Sequence, residues 1–174
     1  MNYREIADEI HEQNVNAGWW DEHLDNKKAR YKTAMALCSS ELSEALEGAR
    51  KSLMDDHLPH YRMFDVEIAD TIIRVLDLAG ALRVSLGMVD DLKHEFAAQF
   101  EQEGCSIPEQ IFIAQATLSS KPQTCIRRML AASLAIAEFN GINIWKIVAE
   151  KRAYNANRAD HKRENRAAAG GKAF

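Results

Sequence analysis

Apolar positions recur with a helical period along most of this chain. Residues 2–16 place Ile6, Ile10 and Val15 on one face, and the segment from Lys27 to about Ser52 is dense in Ala, Leu, Met and Glu, all strong helix formers. A second long helix is predicted from Tyr61 to about Val84. Others follow from about Val89 to Glu101, from Pro108 to about Leu118, from about Gln123 to Phe139, and from Ile144 to about Glu164. Breaks fall at Asn16–Asp21, at Asp55–His60 with its Pro59, at Leu86-Gly87-Met88, at Gly104–Pro108, at Ser119–Pro122 and at Asn140-Gly141. No stretch sustains period-two alternation, so no strand is predicted. The expected fold is an all-α helical bundle in a single domain over residues 1–166, with a flexible tail at 167–174. Leu76–Lys93 and Leu134–Lys151 both read as helix, short turn, helix; an old duplication and the common form of helical hairpins explain this equally well.

The phase of the acidic residues departs from that of an ordinary amphipathic helix. Glu41 and Glu44, like Glu67 and Asp70, are three residues apart, so each pair shares a helix face. With Glu41 set at zero and 100° per residue, Ala34, Ala45, Cys38, Leu42 and Leu46 occupy about 20° to 140°, while Leu37 and Gly48 lie near 320° and 340°. Glu41 therefore falls within the apolar arc and Glu44 at its edge. Arg50, Ser43, Glu47 and Ser40 take the solvent side. The helix carrying Glu67 is apolar nearly all round. Only a narrow stripe of Asp77, Asp70, Arg74 and Glu67 is charged, which predicts a central position. The short connection at 55–60 makes the two acidic helices neighbours. Buried carboxylates need a cation, a proton or an ion pair. Arg74 can offset one of them. Oxygen ligands without Cys or His suit Mg²⁺, or Mn²⁺, better than zinc. The bland alternative is a solvated stripe with a core ion pair to Arg74.

Composition narrows the function classes. A chain of 174 residues, 47% hydrophobic and 28% charged, suits one globular domain. Its net charge of −4 predicts no general affinity for nucleic acid or anionic membrane. The basic run from Arg152 to Arg166 is diluted by Asp160 and Glu164. Three distant cysteines with no CxxC pair read as free thiols. The charged N-terminus is not a secretory signal, and no apolar run approaches the length of a membrane span, so a cytoplasmic protein is expected. No ExxH occurs, which argues against a di-iron bundle.

Ser40-Glu41-Leu42-Ser43-Glu44-Ala45-Leu46-Glu47, followed after a 22-residue spacer from Glu44 by Glu67-Ile68-Ala69-Asp70, resembles the MazG-like all-α nucleoside triphosphate pyrophosphohydrolases, a group related to dimeric dUTPases and dCTP pyrophosphatases. Lys151, Asn155 and Arg158, at i, i+4 and i+7 on one helix face, match the family's later basic motif, and Gly18-Trp19-Trp20 is similar to a segment ahead of its first motif. The resemblance spans about residues 15–86 and 141–158. The helices between 88 and 140 depart from compact members. The resemblance implies Mg²⁺ held by Glu41, Glu44, Glu67 and Asp70, with Glu41 or Glu44 serving catalysis by orienting a water. It further implies phosphate contacts from Lys151, Asn155 and Arg158, and base contacts from Trp19 and Trp20. The implied reaction releases a nucleoside monophosphate and pyrophosphate, and the implied assembly is a homodimer or homotetramer. A non-catalytic helical interaction protein is the competing expectation; it would keep the bundle without needing all four acids.

Overall fold

The helix expected to be apolar nearly all round, Met63–Leu82, lies at the centre, with 16 of its 20 residues buried. The computed structural model describes residues 1–23, 26–119 and 121–158. Among these are seven α-helices and no strand beyond an isolated bridge between Met54 and Arg62. They are α1 (Tyr3–Asn16), α2 (Tyr31–Lys51), α3 (Met63–Leu82), α4 (Val89–Glu103), α5 (Ile107–Gln115), α6 (Pro122–Phe139) and α7 (Ile144–Asn157). The all-α bundle expected from the sequence is therefore present. Helices α1, α2, α6 and α7 all pack on α3; α4 packs on α6, and α5 bridges α2 and α6. Of the segments expected between 88 and 140, α4 and α5 thus pack on α6, which in turn backs α3. Both stretches of the internal echo do fold as helix, turn, helix.

Local chemistry accounts for most boundaries. The Asn2 side chain caps α1 by accepting from the N–H groups of Arg4 and Glu5. Ser106 and Glu109 form a capping box on α5, with Pro108 in its first turn. Several expected boundaries overran: α3 starts at Met63 and not Tyr61, and α5 ends at Gln115 and not near Leu118. The expected start at Lys27 is a 3₁₀ turn, Lys27–Arg30, and the α-helix proper begins at Tyr31. The end expected near Val84 comes at Leu82, where Arg83 adopts a left-handed φ of 51° and its N–H returns to Ala79 and Gly80 carbonyls. A non-glycine residue in that conformation leaves no stop signal in the sequence. Helix α7 is described to Asn157; its expected continuation to Glu164, the basic residues beyond 158, the domain limit at 166 and the tail at 167–174 lie outside the described residues.

The close approach of α1 to α3 depends on Gly80. A Cβ there would lie 2.4 Å from the Ala7 carbonyl oxygen and 2.7 Å from His11 Cβ. Among the described residues, no helix is long and apolar enough to cross a membrane.

Candidate functional site

The first acidic pair comes from α2 and the second from α3, joined by a loop with little slack. Asp55, itself buried, accepts from the N–H groups of His57 at 3.0 Å and Leu58 at 2.7 Å, while its own N–H donates to the Tyr61 carbonyl. This turn closes a helical hairpin and brings the two acidic faces together. Oxygens of Glu41, Glu67 and Asp70 lie within 4.8 Å of one another. Glu41 and Glu67 are buried and Asp70 is half-buried. Glu44 is exposed at the edge, where it accepts from the Ser40 hydroxyl at 3.2 Å. The phase analysis anticipated this division between Glu41 and Glu44.

Two cations enter the cluster. Arg74 Nε donates to Glu41 Oε1 at 2.5 Å, so the core ion pair expected of Arg74 is formed. Lys151, on α7 and only 4% exposed, places Nζ 2.9 Å from Asp70 Oδ2. Burial works against the charged forms of both cations. The carboxylates of Glu41 and Asp70 around Arg74, and of Asp70, Asp55 and Glu67 around Lys151, nevertheless hold both above their ordinary pKa values. Three carboxylates face two cations, and Glu67 is the one left over. Its Oε2 is buried without a hydrogen-bond partner. Burial, contact with the Glu41 carboxyl and the charge of Asp70 push the Glu67 pKa up to about 9. Asp70 is pushed up to about 6, chiefly by burial, against the pull of Lys151.

An all-oxygen donor set with an unpartnered buried carboxylate oxygen fits a hard divalent cation. Displacing the proton from Glu67 would leave its oxygens as ligands, and the ion would supply the missing positive charge.

The cluster borders a cleft of about 520 Å³. All nine residues singled out in the sequence line it: Trp19, Trp20, Glu41, Glu44, Glu67, Asp70, Lys151, Asn155 and Arg158. Their accessibility differs. Lys151 is engaged with Asp70, whereas Arg158 is half-buried and lies over the Tyr154 ring at 5.7 Å. Asn155 carries a buried Oδ1 without a hydrogen-bond partner. Trp19 is half-buried. Trp20 is 1% exposed; its indole N–H donates to both Asp77 oxygens, Arg30 lies over its ring at 4.8 Å, and His11 meets it edge-on. Trp20 is therefore a fixed wall of the cleft, with little surface left for stacking.

Sequence reasoning missed the residues that fix this wall. Asp77, buried on α3, accepts from His11 Nδ1 at 2.8 Å and Asn14 Nδ2 at 2.8 Å as well as from Trp20. Lys27 donates to His11 Nε2 at 2.9 Å, which sets the ring with its proton on Nδ1. The signal in the sequence was the position of Asp77 on the charged stripe; its partners lie 57 to 66 residues away and had none. His57, in the connecting loop, also lines the cleft and was not foreseen. Comparison of the chain with family models, curated proteins and solved structures gave no match.

Proposed function

We propose that this chain hydrolyses a nucleoside triphosphate to a nucleoside monophosphate and pyrophosphate with the help of Mg²⁺, for which Mn²⁺ can substitute. The observation that carries the reading is the buried, unpartnered oxygen of Glu67 beside the carboxylates of Glu41 and Asp70. A buried polar group without a partner destabilises the fold, and a bound cation would satisfy that oxygen while supplying the positive charge that the three carboxylates lack. Glu41, Glu67 and Asp70 would hold the ion, while Glu44, expected from the sequence as a fourth ligand, lies outside that group and lines the cleft. Bound there, the ion would neutralise phosphate charge and acidify a water.

The remaining roles fall to side chains around the cleft. Arg158 and Asn155 donate to the polyphosphate from α7. Lys151 keeps Asp70 oriented through its 2.9 Å contact and adds positive charge behind it. Glu44, exposed and with a hydroxyl rather than a cation as its hydrogen-bond partner, orients the attacking water. Trp19, half-buried and lining the cleft, offers ring surface to the base. The family resemblance of the acidic and basic motifs points the same way.

The test is hydrolysis of a panel of ribo- and deoxyribonucleoside triphosphates with Mg²⁺ or with chelator, resolving pyrophosphate from orthophosphate. Metal-dependent pyrophosphate release is expected, reduced at least about a hundredfold in Glu41→Gln and Asp70→Asn. Absence of both hydrolysis and Mg²⁺ binding in the wild-type chain would leave a structural ion-pair cluster, and the interaction-protein reading would replace this one.

A further inference from the structure

We propose that His57 is a phosphate-contacting residue of this site, a donor supplied by the loop between α2 and α3. The inference rests on the hydrolase reading above. It starts from how the basic side of the cleft is used. Lys151 is buried against Asp70, and the half-buried Arg74 gives its Nε to Glu41, so both already face carboxylates. A triphosphate carries about four negative charges at neutral pH and needs donors beyond Arg158 and Asn155.

His57 is placed to be one. Its side chain is exposed and lines the cleft together with Lys151, Asn155 and Arg158. Its ring packs on Tyr154, centroids 5.0 Å apart, and Arg158 approaches the same tyrosine at 5.7 Å. Tyr154 thus lies against both an imidazole and a guanidinium that line the cleft. The histidine backbone is held as well. Its N–H is bound by Asp55, whose carboxylate is close enough to help hold Lys151 in its charged form. A loop pinned at that point presents the ring in one place, so little ordering is needed when an anion binds. An imidazole offers an N–H donor whether neutral or charged, which suits a phosphate oxygen.

The experiment is calorimetric titration of the full chain with inorganic tripolyphosphate in saturating Mg²⁺, with Mg²⁺ alone titrated in parallel. His57→Phe keeps a ring on Tyr154 and removes the donor; His57→Arg restores one. Expected are tripolyphosphate binding about tenfold weaker in His57→Phe, recovery in His57→Arg, and unchanged Mg²⁺ binding and Tm in both. Wild-type affinity in His57→Phe would overturn the proposal, as would an equal loss in both variants, which would indicate loop shape instead of a donor. A wild-type chain that binds Mg²⁺ and tripolyphosphate while the variants match it refutes only the histidine. A wild-type chain that binds neither refutes the hydrolase reading and this proposal with it.

Discussion

Glu67 gives the metal-free protein a pH dependence of unusual sign for an acid. Most carboxylates in folded proteins are helped by their surroundings to ionise, and stability falls as they are protonated. Here the folded chain holds a proton up to about pH 9 that an unfolded chain releases near the ordinary value of 4.5. The favourable contribution is complete below that ordinary value and is lost as pH rises through about 9. Asp70 acts in the same sense over the narrower window between its ordinary value of 3.8 and about 6. In chelator, Tm is therefore expected to fall between pH 6 and 9. Glu67→Gln, which keeps the shape without a charge to bury, should flatten that fall and raise Tm at pH 8. A wild-type Tm that climbs over this range would refute the account. Adding Mg²⁺ should raise the wild-type Tm at pH 8 and leave Glu67→Gln nearly unmoved, because binding competes with the proton on Glu67.

Among the helices, the α1–α3 crossing ties packing to the cleft wall. Gly80→Ala would drive a methyl group into the Ala7 carbonyl, which is backbone and cannot rotate away. Overpacking of this kind costs about 1–3 kcal/mol, only partly offset by the roughly 1 kcal/mol that alanine gains over glycine inside a helix. A lower urea midpoint is expected, with a change in tryptophan fluorescence as His11 moves and the Asp77–Trp20 contact shifts; an unchanged midpoint would mean that α1 can slide freely. The helices themselves were legible because period and phase are local properties. The arc holding Glu41 and the narrow charged stripe on α3 carry the signal of burial within the sequence itself. The engagement of Lys151 with Asp70, 81 residues apart in the chain, was not legible, nor was the enclosure of Trp20 by Arg30, His11 and Asp77. Such pairings depend on which helices become neighbours, and the spacing within one helix carries no record of that.

The molecule as a whole is arranged around α3, and the candidate site is half anchored there and half borrowed from its surroundings. Glu67, Asp70, Arg74 and Asp77 project from the central helix, while Glu41, Trp20 and Lys151 arrive on three separate segments packed against it. The two ends of the arrangement differ in burial: 16 of 20 residues are buried in α3, but only Ile144, Ile147, Val148 and Lys151 in α7. That contrast separates the timescales of amide hydrogen exchange. Protons along the middle of α3 should exchange only through global unfolding, whereas those in the last turns of α7 should escape through local opening. Deuterium uptake followed by mass spectrometry would show two kinetic classes, and Mg²⁺ with tripolyphosphate should slow the α7 class while leaving α3 at its ceiling. Uniform uptake across both helices would mean that they open as one cooperative unit.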